Sequence, residues 1–151
     1  MKKLLLTLIL CINVLNAESY FQVGSNNQKF QNESTTGFNV GYGFTNSTDK
    51  NIFLGVGFNF GYAKLYEKPL TSFSGDFKVG YTYKDLSLYT LGSALQQSYI
   101  VNGYGFGVGG GLEYRLSDEI AAIAEYRSYD MTNEYDDYDY SQTIVSLRYS
   151  F

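Results

Sequence analysis

Within the last ten residues, Gln142 to Phe151, the chain alternates without a break from Val145 onward. Val145, Leu147, Tyr149 and Phe151 fall on one parity, and Ser146, Arg148 and Ser150 on the other. Successive side chains of a β-strand point to opposite faces, so the segment has one apolar and one polar face. A helix cannot use this pattern, because its faces repeat every three or four residues. The segment also finishes on a bare aromatic, which a frayed terminus in water has little reason to keep.

The same rhythm divides the preceding chain into seven more candidate strands. The first runs through Ser19–Gly24, with Phe21 and Val23 sharing a face. The second sets Phe38, Val40, Tyr42 and Phe44 against Asn39, Gly41 and Gly43. In the third, Ile52, Leu54, Val56, Phe58, Phe60 and Tyr62 form an unbroken apolar row opposite Phe53, Gly55, Gly57, Asn59 and Gly61. The fourth opposes Phe73, Phe77, Val79, Tyr81 and Tyr83 to Ser72, Ser74, Asp76, Lys78 and Thr82. The fifth, Leu86–Gln96, alternates poorly and its faces stay unassigned. The sixth places Tyr104, Phe106, Val108, Leu112 and Tyr114 against a run of glycines ending in Glu113 and Arg115; the seventh is Ile120–Tyr129. No stretch beyond the first residues keeps an apolar stripe at helical spacing for three turns, and glycine interrupts most candidates. The fold expected is an all-β, eight-stranded antiparallel up-and-down barrel.

The start of the chain has a different grammar. Lys2 and Lys3 precede a mostly apolar run from Leu4 to Leu15, and Ala17 stands before Glu18-Ser19. A basic end, a short apolar middle and a small residue at the cut describe a secretory signal peptide over residues 1–17. The run is shorter than the roughly 20 residues of a membrane-spanning helix. Cys11, the sole cysteine, falls within it, without the small neighbours of a lipoprotein cleavage box, and would leave with the leader. Residues 18–151 then form a single domain with 9 basic and 15 acidic residues, a net charge of −6. That balance excludes nucleic acid as a partner, since its phosphates call for a basic face.

Several candidate strands reach the length of about ten residues that a tilted strand needs to cross hydrocarbon. Soluble strands more often stop near five or six. The mean hydropathy of −0.20 is no objection, because only every second residue of a barrel strand meets lipid. Tyr81, Tyr83, Tyr104, Tyr114, Tyr149 and Phe151 gather near strand ends, as interfacial girdles do; tryptophan is absent from them, since the chain has none. Connections at 45–50, 84–85 and 116–119 are short, whereas those at 25–37, 63–70, 97–101 and 130–141 are mostly longer. Short periplasmic turns against longer external loops would put both termini in the periplasm.

At Gly109–Met131 the wording GGGLEYRLSDEIAAIAEYRSYDM, with Glu-Tyr-Arg at two strand ends around a short Ser/Asp turn, resembles small bacterial outer-membrane barrels of the OmpA/OmpX and opacity-protein type. With the terminal Tyr-x-Phe this covers about the last third of the chain. The resemblance implies a location in the Gram-negative outer membrane. It also implies that Val145, Leu147, Tyr149 and Phe151 form the signal read by the barrel-assembly machinery. The partners it implies are outer-membrane lipid and lipopolysaccharide, with a host or neighbouring-cell surface ligand as a further candidate.

If the apolar parity faces lipid, the lumen receives Asp76, Lys78, Glu113, Arg115, Glu125, Arg127 and Arg148. Buried charges persist when paired and hydrogen-bonded, and an eight-stranded bore is only wide enough for its own side chains. The expectation is a filled polar lumen; the rival is a salt-bridge gate over a narrow ion path. The inner glycines of the sixth strand admit two readings, open space or room for a large neighbour to fold across the bore. Asp130, Glu134, Asp136, Asp137 and Asp139 interleave with Tyr129, Tyr135, Tyr138 and Tyr140 in the last expected external loop. Their spacing lacks the glycine and closing glutamate of a calcium loop, so no metal site is expected. Exposed tyrosines make good contact surface, and adhesion would begin here.

Catalysis is not expected. The chain has no histidine, which removes the commonest general base and Ser-His-Asp chemistry. Phosphate-loop and dinucleotide motifs are missing from the sequence, and no cofactor is expected. The reading is a structural or surface-interacting barrel. One alternative is a narrow ion-conducting pore. Another is a soluble periplasmic barrel binding a small apolar ligand, with Leu54, Phe58 and Phe106 pointing inward.

Overall fold

A computed structural model of the chain describes residues 17–30, 33–48, 51–99 and 102–151. Apart from Ala17, the leader expected over residues 1–17 lies outside these. The eight strands are β1 (Glu18–Phe30), β2 (Glu33–Ser47), β3 (Ile52–Leu65), β4 (Lys68–Tyr83), β5 (Leu86–Ser98), β6 (Asn102–Arg115), β7 (Ile120–Thr132) and β8 (Asp137–Ser150). Each pairs antiparallel with its neighbour in sequence, and β8 closes on β1, so no edge is left for aggregation.

The barrel's tilt can be read from the register. Following partners from Val23 leads through Val40, Phe60, Phe73, Gln96, Tyr104 and Thr132 to Asp137. Val23 itself pairs Leu147 on β8, so one circuit climbs 147 − 137 = 10 residues. A shear of ten over eight strands requires strongly inclined strands. The termini sit together at one end, where the Phe151 amide donates to the Ser19 carbonyl at 2.9 Å. This terminal end also carries the β2–β3, β4–β5 and β6–β7 turns; the other four connections form the distal end.

The strands are longer than the alternation alone indicated, and the expected asymmetry of the loops disappears. Most of 25–37, 63–70 and 130–141 is strand, and β5 runs on through 97–98. The β3–β4 connection shrinks to Tyr66-Glu67, with φ of 49° and 64°, the left-handed pair of a two-residue hairpin. The expected acidic loop is corrected likewise. Asp130 lies in β7 and pairs Asp139 of β8, Asp137 opens β8 opposite Thr132, and only Glu134 and Asp136 sit in the turn. Hydrophobic periodicity stops where side chains leave the lipid, but backbone pairing continues into water, so the pattern underestimates the strands.

The faces divide sharply. The apolar rows of β2, β3, β4, β6 and β8 point outward, while Gln22, Asn39, Asn59, Ser74, Asp76, Lys78, Glu125 and Arg127 are among the polar residues that point in. Leu54, Phe58 and Phe106 are 38%, 49% and 76% exposed, which sets aside the soluble barrel with an apolar pocket. An apolar belt of this extent is tolerable only against lipid. Strand β5, unassigned from its pattern, turns Ser87, Tyr89, Leu91, Ser93, Leu95 and Gln97 inward and leaves Thr90, Gly92, Ala94 and Gln96 outside.

Candidate functional site: the charged bore

Strands β4 and β7 each bring two charges to the inner face, two residues apart. Asp76 and Lys78 come from β4, Glu125 and Arg127 from β7, and the four meet across the bore. Arg127 Nη2 lies 2.9 Å from Asp76 Oδ2 and 2.5 Å from Glu125 Oε2, and Lys78 Nζ pairs with Glu125 Oε1. Two acids and two bases cancel, which is the condition for keeping four charges out of water.

The remaining valences are filled by neutral neighbours. Asp76 accepts from Asn59 Nδ2 at 2.5 Å, Ser93 Oγ at 2.6 Å and Arg127 Nη1 at 3.2 Å. Glu125 accepts from the Tyr89 hydroxyl at 2.6 Å and from Arg127 Nε at 3.0 Å. Arg127 Nη1 also donates to Ser74 Oγ at 3.2 Å, while Lys78 Nζ stands 4.9 Å from the centre of the Tyr89 ring. Asp76, Glu125 and Arg127 are each held by several bonds and are rigid, because each rotamer change breaks more than one of them at low dielectric.

Further layers lie above and below. Toward the distal end, Leu95, Tyr129, Met131 and Tyr140 pack together with Phe30 and Tyr138 against them. The Tyr140 hydroxyl donates to Gln28 Oε1 and accepts from Gln142 Nε2, both at 2.7 Å. Toward the terminal end, Phe53, Tyr89 and Leu91 form a smaller cluster, followed by the Arg148–Glu113 pair at 2.8 Å and Arg148 over the Tyr20 ring at 4.9 Å. Arg115, the remaining lumen candidate, ends β6 exposed to solvent. A void beside Asn26, Asn39, Asn59 and Gln142 measures about 10 Å³, the size of one water.

The glycines of β6 resolve their two readings. A Cβ on Gly107 would stand 2.4 Å from Tyr129 Cδ1, and one on Gly111 would stand 2.5 Å from Tyr89 Cζ. The bare backbone of β6 is where those rings lie, so the glycines let large side chains cross the bore.

Tyr89, Ser93 and Asn59 complete the cluster and were not among the sequence candidates; Tyr129 joins it through Ser93, and with Tyr140 it is buried in the bore instead of standing exposed in the expected loop. A usable signal existed for Tyr89 and Ser93. The turn at Lys84-Asp85 pairs Tyr83 with Leu86, so outward Tyr83 makes Leu86 outward and every odd residue of β5 inward. Of the terminal residues, Val145, Leu147 and Tyr149 face outward on β8, and Phe151 follows the strand, exposed.

Three solved structures share the architecture. Neisserial surface protein A is 14% identical, with 89% of this chain and 97% of that one covered at a TM-score of 0.64. Ail, the attachment invasion locus protein of Yersinia pestis, is 16% identical over 89% of this chain and 99% of its own, also at 0.64. Ail has further been solved with the heparin analogue sucrose octasulfate. The N-terminal barrel of Pseudomonas aeruginosa OprF is 14% identical, covering 90% of this chain and all of that one at 0.53. No curated protein matches the chain in sequence. The likenesses show the fold; the assignment rests on the sequence, which matches the outer membrane protein beta-barrel domain over residues 4–151, and the chain belongs to that family of outer-membrane barrels.

Proposed function

We propose that this barrel works as a closed, rigid wall element of the outer membrane, with both termini in the periplasm and its distal turns at the cell surface. Its role is structural, with surface contact through those turns, and neither catalysis nor transport is part of it. The observation that carries this reading is the neutral quartet of Asp76, Lys78, Glu125 and Arg127, mutually paired, with Asp76, Glu125 and Arg127 each further bonded to neutral neighbours, and capped by the Tyr129–Tyr140 layer. An ion crossing the bore would have to break several charge-assisted bonds at once.

The reading includes export by a leader over residues 1–17 and assembly through Val145, Leu147, Tyr149 and Phe151, whose outward face suits recognition while β8 is still unpaired. Surface contact is assigned to the distal turns, where Tyr66 and Tyr135 are 67% and 79% exposed. Acidic residues crowd the β7–β8 tip, so a polyanion such as the sucrose octasulfate bound by Ail does not suit that corner. A cationic or hydroxylated surface does.

Conductance across planar bilayers tests the closed bore. Folded protein is expected to be silent, and Arg127→Ala to add leak. Steady single-channel steps from the unaltered protein, lost in Arg115→Ala or Glu125→Ala, would overturn the reading in favour of a narrow pore.

A further inference from the structure

The outer wall of the barrel is not equally apolar all round. With a shear of ten over eight strands, points of equal height slip by about 1.25 residues from one strand to the next. On that scale Phe38, Phe60, Phe73 and Phe106 stand within about one residue of the level of Ser128, Thr143 and Asn27. All seven are outward and exposed. Four strands therefore present aromatic rings, and β5 the small Ala94, at a height where β7, β8 and β1 present hydroxyls and an amide. The highest large apolar residues on those three strands are Tyr126, Val145 and Val23, about three to four and a half residues lower than Tyr62 and Phe106. At about 3.3 Å per residue on a strand inclined by about 40°, the step is roughly 8 to 11 Å.

The terminal end shows no matching step. Ile120 and Tyr149 on the polar side end the belt within about two residues of the level of Tyr81 and Leu86 across the barrel. A tilt of the whole barrel would displace both ends, so the step belongs to one leaflet.

We infer that β7, β8 and β1 form a notch in the distal half of the belt, into which the polar headgroup of a bilayer lipid descends. Two observations select a headgroup over a second protein. Asn27 Nδ2 already donates to Thr36 Oγ1 at 3.1 Å and Ser25 Oγ to the Gly37 carbonyl at 3.3 Å, so these groups are solvated locally and await no partner. Directly above, Asp130 and Asp139 face each other across β7 and β8, both outward. Like charges directly opposed are tolerable only in water, which a dry protein interface would exclude. Lys29, outward on β1 over the same notch, offers a cation to a headgroup phosphate.

The inference rests on the barrel spanning a bilayer and not on which end faces outside. The chain has no tryptophan, so one introduced indole reports its own depth. Phe73→Trp, Thr143→Trp and Phe58→Trp are folded separately into phosphatidylcholine vesicles, then quenched by lipid brominated midway along the acyl chain or by aqueous iodide. Phe73→Trp is expected to be quenched several-fold more by bromolipid than by iodide, and Thr143→Trp the reverse, with red-shifted emission. Equal bromolipid quenching of the two would mean a level boundary and overturn the notch; protection of Thr143→Trp from both quenchers would replace the headgroup with a protein. Phe58→Trp, at mid-depth, separates the failures: if bromolipid does not reach it, the membrane reading falls and not the notch alone. Ser128→Trp, at a second place in the notch, repeats the test should Thr143→Trp fail to fold.

Discussion

Strands β3 and β5 are made from the same alternation and use it in opposite senses. On β3 the six large apolar residues from Ile52 to Tyr62 face lipid, and glycines and Asn59 face the bore. On β5 the large residues Tyr89, Leu91 and Leu95 face the bore, and the lipid side holds Thr90, Gly92 and Ala94. The exception on β3 is Phe53, which turns inward and meets Tyr89 at 5.9 Å between ring centres, while Tyr89 reaches across to Glu125. Gly57 of β3 leaves room for the Tyr20 ring of β1, and Tyr89 of β5 takes the room left at Gly111 of β6. The bore of a small barrel is a protein core in its own right, and volume as well as polarity decides which residues enter it.

The largest effect should come from emptying the filled side. Tyr89→Ala removes a buried ring and the hydroxyl bonded to Glu125, and is expected to cost about 3–5 kcal/mol, as buried aromatic truncations do. Urea unfolding in lipid vesicles measures it. A cost below about 1 kcal/mol would mean that β5 does not pack the bore, and the contrast with β3 would fail.

Next comes the lipid side of β3. Phe58→Lys sets a charge near mid-belt and should cost about 2–4 kcal/mol in the same assay. Phe58→Leu should cost far less, since lipid is indifferent to shape. A large loss from the leucine variant would show that β3 packs against protein there, contrary to the outward exposure of Phe58.

The contrast also explains what was legible in the sequence. On β3 and β6 one parity is wholly apolar and the other mostly glycine, so facing, membrane contact and barrel class follow together. Asp76, Lys78, Glu125 and Arg127 were legible as inward because on β4 and β7 they fall on the parity opposite the apolar row. On β5 both parities mix small, polar and apolar residues, since lipid accepts threonine and glycine while the bore takes leucine and tyrosine. The pattern then has no contrast, and only register through the Lys84-Asp85 turn supplies the facing. Strand ends were misplaced for a related reason: beyond the lipid, Asn27, Thr36, Ser128 and Asp130 pair as strand but carry the residues of a loop. Arg115 was misplaced because parity gives the face of a residue and not its height; at the last position of β6 it reaches solvent.

A finer cut separates ring packing on β5 from its hydrogen bond. Tyr89→Phe keeps the ring beside Phe53 and Lys78 but leaves Glu125 Oε1 with Lys78 alone. A bond to a charged acceptor contributes about 1.5–3 kcal/mol, so Tyr89→Phe should lose about half of what Tyr89→Ala loses. Equal losses would place the whole effect in the bond and none in the packing.

The smallest effect tests the comparison most directly, by making one substitution on both strands. A Cβ added at Gly92, on the lipid side of β5, meets nothing within 4 Å. Glycine within a strand is destabilising by roughly 0.5–1 kcal/mol relative to alanine through its extra unfolded-state freedom, so Gly92→Ala should stabilise by about that amount. At Gly57, on the bore side of β3, the same Cβ would stand 2.6 Å from the Tyr20 hydroxyl. That ring also lies under Arg148, so moving it disturbs the Arg148–Glu113 layer, and the gain should vanish or reverse. Paired unfolding curves decide it. Opposite signs confirm that β3 cedes volume to the bore and β5 to the lipid, whereas equal gains would show that the space beside Gly57 is not needed and that Tyr20 has somewhere else to go.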